Sequence, residues 1–179
     1  MMRVTNDCSE LISAAPMAAS CTLESPVGTL WLGASANGLM CLKVAPLRDE
    51  LACPSASAAS RAEGHLNAAC TQLMEFFAGK RHQFDLALAP KGTEFQRAVW
   101  QALLALPFGE TASYSEIALQ INRPTAVRAV GAANGANPVA IIIPCHRVIG
   151  KGGTLTGYAW GLEMKASLLR LESCVLPLL

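Results

Sequence analysis

The chain has 179 residues, enough for one large or two small domains. Residues of the AVILMFWYC set make up 52% and aromatics 6%, so the core is built from Ala, Leu, Ile and Val, which excludes a disordered chain. Formal net charge is +1, but residues 1–90 carry six Lys/Arg against eight Asp/Glu and residues 91–179 carry eight against five. That asymmetry hints that an anionic partner meets the second half.

No apolar run approaches the roughly 18 residues that span a bilayer, so a membrane location is not expected. Asp7 and Glu10 interrupt what would be the apolar core of a signal peptide. The seven cysteines (8, 21, 41, 53, 70, 145 and 174) are odd in number and include no CxxC pair. Free thiols in a reducing cytoplasm fit better than a disulfide framework. His65 and His82 have no Cys or His at ligand spacing, so no metal site is expected.

Residues 1–19 show no period and read as a fraying terminus. Thr22–Glu24, Thr29–Ala34 and Leu39–Val44 read as three antiparallel strands, joined by Ser25-Pro26-Val27-Gly28 and the hairpin turn Asn37-Gly38. Residues 45–60 are rich in Pro, Ser and Ala and read as a loop. Leu66, Ala69/Cys70, Leu73 and Phe76/Phe77 fall at helical spacing, predicting a helix from about Arg61 to Ala78 that Gly79 stops. Gln83–Leu88 reads as one more strand. A small α+β domain over residues 20–90 is the expectation, followed by a second domain over 91–179.

Thr93 with Gln96, and Ser113 with Glu116, are capping boxes that open two helices. Phe95, Val99, Leu103 and Leu106 face one way on the first, and the second runs from Tyr114 to about Ile121. Asn122-Arg123-Pro124 is a tight turn, and Thr125 is placed to cap a third helix that ends near Asn134. Two short helices about a short turn make a helix-turn-helix. Ala126, Ala129, Gly131 and Ala133 leave the third helix smooth, with Arg128 its only charge. A smooth face carrying one arginine suits a minor groove. The same pattern also suits an Ala-rich core helix with Arg128 in solvent.

Ile141-Ile142-Ile143 favours an extended buried strand that Pro144 ends. Cys145 and His146 come next, which is either a buried plug or a thiol beside its base. Lys151-Gly152-Gly153-Thr154 is a flexible loop. The last helix runs from about Leu162 to Glu172 with Leu162, Ala166 and Leu169 on one face. Glu172 continues that face. It is either exposed at a fraying end or a buried acceptor for His146.

These motifs, taken together, resemble one family, the O6-alkylguanine-DNA alkyltransferases of the constitutive bacterial type. The resemblance rests on Pro144-Cys145-His146-Arg147-Val148, Arg128-Ala129-Val130-Gly131, Asn137-Pro138, Gly157-Tyr158 and Leu168-Leu169-Arg170-Leu171-Glu172. It covers roughly Phe95 to Glu172, and only in outline the first half. It implies an RNase H-like α+β N-terminal domain and a mainly helical C-terminal domain with a winged-helix-like helix-turn-helix.

The resemblance further implies DNA repair by direct reversal. A monomer would bind duplex DNA, flip the damaged base out, and move the alkyl group of O6-alkylguanine or O4-alkylthymine to Cys145 once and irreversibly. His146, oriented by Glu172, would activate the thiol through a water, and Tyr114 would rotate the nucleotide and assist the leaving guanine. Arg128 would fill the hole, with Ala126, Ala129, Gly131, Ser115, Arg123, Gln96 and Lys151 also facing DNA. Asn137, Pro144, Val148, Tyr158, Ala159 and Trp160 would line the pocket, with Trp160, where many members carry glycine, narrowing it against large adducts. No cofactor and no zinc are implied. The alternatives are a non-catalytic lesion sensor, which would lack the cysteine, and a cysteine hydrolase, which would turn over.

Overall fold

The computed structural model describes residues 15–44 and 55–173; the readings for residues 1–14 and 45–54, and for Cys8, Cys53 and Cys174, fall outside them. Strands β1 (Ala19–Leu23), β2 (Leu30–Ser35) and β3 (Gly38–Val44) form an antiparallel meander in the order β1-β2-β3. Helix α1 (Ala56–Phe77) packs on the sheet through Ala62, Leu66, Ala69, Leu73 and Phe76, a stripe at alternating spacings of four and three. It starts five residues before the expected Arg61. Ser55 explains the difference: its hydroxyl accepts from the Ala58 N–H and caps the helix, so the Ala/Ser run after it winds up as helix.

The second half holds helices α2 (Glu94–Leu104), α3 (Tyr114–Gln120), α4 (Val127–Gly135) and α5 (Leu162–Leu171), with short parallel strands β4 (Ala112–Ser113) and β5 (Val148–Ile149). Both capping boxes form as their sequences require. Thr125 does not cap α4. The helix begins from Ala126 without a side-chain cap, because the turn closes through the Ala126 N–H on the Arg123 carbonyl. Ala133 lies in the core rather than on the smooth outer face, and its carbonyl accepts from the Trp100 indole at 2.9 Å. Leu162 is exposed, since at the first position of α5 it precedes the buried stripe. Among the described residues no helix is long and apolar enough to cross a membrane.

The free edge of β3 joins the two halves. The Leu39 N–H donates to the Ala87 carbonyl, and the Leu42 N–H donates to the Pro138 carbonyl, both at 2.8 Å. Each contact is a single parallel bridge, Leu39 with Leu88 and Leu42 with Val139. So Gln83–Leu88 is not a strand; only Leu88 makes a bridge, and Asp85 turns its N–H and carbonyl to the Gln72 side chain on α1 instead. The segment leading to Cys145 is thereby fastened to the edge of the first sheet.

Residues 141–143 are buried but turned, not extended. Ile141 has φ +68, a costly backbone for a β-branched residue. The Ile142 N–H bonds the Ala140 carbonyl at 2.7 Å, closing a γ-turn about Ile141. A second, inverse γ-turn closes about Pro144 (φ −82, ψ 61), with the Cys145 N–H on the Ile143 carbonyl at 2.8 Å. Three β-branched residues favour a strand locally, yet burial of all three side chains and the pull of β3 on residues 138–140 impose two reversals instead.

Gly38 sits at φ +148 in the hairpin, and a Cβ there would stand 2.5 Å from the Ala87 carbonyl oxygen. Gly38→Ala should therefore part β3 from residues 87–88 and cost about 2–3 kcal/mol, a Tm loss of roughly 5–10 °C in thermal denaturation. An unchanged Tm would show that this junction carries no stability.

Candidate active site

The two γ-turns deliver Cys145 to the start of a short 3₁₀ helix, Cys145–Arg147, and bury its thiol to 2% exposure. Asn137 holds the turn. Its amide donates to the Ile143 carbonyl at 2.8 Å while its oxygen accepts from the Val139 N–H at 3.0 Å. Asn134, on α4, reaches the Cys145 carbonyl at 3.4 Å, so the last turn of that helix is tied directly to the cysteine.

Glu172, at the C-cap of α5, is 1% exposed, which resolves the two readings of it in favour of the buried acceptor. Its Oε1 lies 2.9 Å from His146 Nε2 and accepts from Arg147 Nη2 at 3.0 Å; its Oε2 accepts from Arg147 Nε at 2.8 Å. Arg147 also donates to the Leu106 carbonyl at 2.6 Å, and its guanidinium carbon lies 5.9 Å from the Phe108 ring centre. Burial alone would push Glu172 up, but hydrogen bonds and charge from His146 and Arg147 outweigh it and hold the group at about 2. The carboxylate is therefore ionised and can only accept, so Nε2 of a neutral His146 carries the proton. Burial lowers the His146 pKa more than Glu172 raises it, which keeps the ring neutral. Nδ1 is then the basic atom, buried and bonded to no protein group.

Burial pushes the Cys145 thiol up to about 11, with the Asn137 amide and the Lys165 charge pulling it partly back. At neutral pH that leaves roughly one thiolate in ten thousand molecules, so the thiol needs a base. Lys165 joins the site although no motif singles it out. It is fully buried, and its ammonium donates to the Val148 and Thr156 carbonyls, both at 2.6 Å. Burial lowers it to about 8, so it remains mostly cationic near pH 7. A signal for it exists in the sequence: Lys165 stands three and four residues before Leu168 and Leu169, on the buried face of α5. The helical spacing that singles out Glu172 reaches Lys165 too. Arg147 lies within the Pro144–Val148 motif, yet its clamp on Glu172 is visible only in the fold.

The other expected residues divide into two sets. Tyr158 lies near Cys145 with its hydroxyl buried and bonded to no protein group, and burial followed by that neighbour raises its pKa. Trp160 packs edge-on against Tyr158, with ring centres 5.3 Å apart. Tyr114 is half-buried at the start of α3, its hydroxyl 3.4 Å from the Thr156 carbonyl, and its ring lies along Gly131. Pro144 and Val148 are buried beside the cysteine, Val148 with its carbonyl already accepting from Lys165. The second set is on the surface: Arg123, Arg128, Ala129, Lys151 and Ala159 are exposed, with Ser115 and Ala126 partly so. Gln96 spends its side-chain oxygen on the Thr93 N–H as the capping box.

A thiol buried beside a carboxylate-oriented imidazole is the layout of a cysteine nucleophile with its own base. The profile of the 6-O-methylguanine DNA methyltransferase DNA-binding domain matches residues 94–174. The methylated-DNA–protein-cysteine methyltransferase of Methanosarcina barkeri is 48% identical over 150 residues, covering 84% of this chain and 94% of that one. Its counterpart in Mycobacterium tuberculosis H37Rv is 47% identical over 156 residues, covering 87% and 93%. The crystal structure of M. tuberculosis OGT in complex with DNA superposes with TM-score 0.74 at 47% identity, over 86% of this chain and 91% of that one. The chain belongs to the methylated-DNA–protein-cysteine methyltransferase family, enzymes of DNA repair by alkyl transfer.

Both shifted groups predict acid sensitivity. His146 is lowered, so the unfolded chain binds its proton first, and stability falls as pH drops below about 6.5. Glu172 is lowered too, so its contribution is complete above its unfolded value near 4.5 and is lost as pH falls toward 2. Tm should fall continuously from pH 7 downward; a Tm flat to pH 4 would contradict this. Arg147→Met leaves a buried carboxylate short of donors and should cost about 3–5 kcal/mol in chemical denaturation. A loss under about 1 kcal/mol would mean that the clamp is not structural.

Proposed function

We propose that the chain repairs duplex DNA by moving the alkyl group of O6-alkylguanine, and of O4-alkylthymine, onto Cys145 in a single irreversible turnover after flipping the base out of the stack. The observation that carries this reading is the buried Cys145–His146–Glu172 constellation fastened to α4, whose exposed side shows Arg128 among small residues. DNA bound to the M. tuberculosis relative supports the partner. An atom on a base inside a duplex is out of reach of a buried thiol, which favours extrusion.

His146 Nδ1 takes the Cys145 proton through a bridging water. The thiolate attacks the alkyl carbon, the S–C bond forms as the C–O6 bond breaks, and the bonding pair leaves with guanine. Tyr114 donates a hydrogen bond that stabilises the leaving base. Lys165 keeps positive charge beside the nascent thiolate. Arg128 fills the vacated stack, flanked by Ala126, Ala129 and Gly131 in the minor groove. Arg123, Ser115, Lys151 and Gln96 meet the backbone, the last through its amide nitrogen. Asn137 fixes the turn, and Pro144, Val148, Tyr158, Ala159 and Trp160 shape the pocket. The protein works as a monomer in the cytoplasm.

A duplex with isotope-labelled methyl on guanine O6 tests the reading. One equivalent of label should reach protein and stop, with one methylene of added mass on the Cys145 peptide. Cys145→Ala should abolish transfer while keeping DNA affinity, and Arg128→Ala should slow transfer more than it weakens binding to undamaged duplex. Turnover beyond one equivalent would indicate a hydrolase, and tight binding without added mass a sensor; either rejects the proposal. The single-turnover rate should be level between pH 7 and 9 and fall only in acid as His146 takes up a proton, because a neutral His146 and a protonated thiol are the resting forms throughout that range. A rate that climbs about tenfold per pH unit up to 9 would mean that solvent makes the thiolate, and would remove His146 from the role of base.

A further inference from the structure

We propose that Cys21 and Cys70 form an oxidisable dithiol that closes to a disulfide when a peroxide reaches it. Cys21 lies in the middle of β1 and Cys70 on α1, 49 positions apart, yet their sulfurs stand 3.6 Å from each other in a thiol–thiol hydrogen bond. Both are free and only half-buried, unlike Cys41 and Cys145, which are buried. A groove of about 480 Å³ opens beside Cys21 between β1 and α1, lined in part by Ala18, Ser20, Glu63, Leu66 and Asn67. A small oxidant therefore has a path to Cys21, and neither thiol takes part in the proposed alkyl transfer.

The approach needed is short. A disulfide holds its sulfurs about 2.05 Å apart, so side-chain rotation has to bring them together by about 1.5 Å, with the backbones already adjacent through the packing of α1 on β1. One sulfur, as thiolate, attacks a peroxide oxygen, the O–O bond breaks, and a sulfenic acid and hydroxide result. The second sulfur then attacks the first and expels a second hydroxide. The two thiol protons convert these to two waters: the sulfurs lose two electrons and the peroxide gains them. Burial and the neighbouring thiol push Cys21 up to about 12, so closure accelerates as pH rises.

The bond would staple an edge strand to the only helix that packs on the sheet's face among the described residues of the first half. Cross-linking positions 49 apart restricts the unfolded chain strongly.

The full chain should be treated with hydrogen peroxide, blocked with iodoacetamide and cleaved after glutamate. That cleavage yields residues 11–24 and 64–75, each with one cysteine. The expected result is one cross-linked species joining these peptides, lighter by two hydrogens, with Tm raised by about 5–10 °C until dithiothreitol is added. Cys70→Ser should lose the cross-link and the Tm gain yet transfer methyl at the wild-type rate. Full alkylation of both cysteines after peroxide, or a cross-link from either to a different cysteine, would overturn the proposal.

Discussion

The Glu172 carboxylate is the group on which the site depends. It is buried, ionised and shared by a histidine and an arginine from one turn of 3₁₀ helix. Such a charge is stable inside a protein only when its donors are fully assembled. Arg147 supplies two of them and leaves Oε1 able to take a third from His146. That third bond decides the chemistry, because it commits Nε2 to the proton and frees Nδ1. The end of α5 thereby sets the protonation state of a residue 26 positions earlier.

Two opposing charges frame the thiol. Glu172 acts through His146 as a source of basicity, and Lys165 lies near the sulfur as a buried cation. Burial makes the thiol inert until a base and an alkyl carbon are both present. In the single-turnover reaction we propose the nucleophile is consumed, and it gains from that reserve, since a freely ionised cysteine would be spent on any passing electrophile. The scaffold contributes position rather than reactivity. Edge bonds from β3 fix residues 138–140, Asn137 fixes the turn, and Asn134 ties it to α4. The nucleophile and the helix bearing Arg128 cannot shift independently.

Local chemistry is legible in the sequence wherever the deciding contacts lie within three or four residues. The capping boxes at Thr93 and Ser113, the Asn37-Gly38 hairpin and the stop at Gly79 all form as their residues require. Cys145, His146 and Glu172 are legible by motif and by a carboxylate on an apolar face. The turned segment at Ile141 is not, because nothing local calls for positive φ at isoleucine; the demand comes from β3, in the other half of the chain. Lys165 escapes motif reading although its helical spacing exposes it. Arg147 cannot be assigned without knowing where α5 ends.

The tautomer of His146 tests the central claim most directly. Nitrogen-15 NMR of histidine-labelled protein at pH 7 should show His146 neutral, with Nε2 protonated and Nδ1 bare. Replacing Glu172 with glutamine should disturb that pattern. A doubly protonated ring, or a proton resident on Nδ1, would contradict the account, since Cys145 would then have no base beside it.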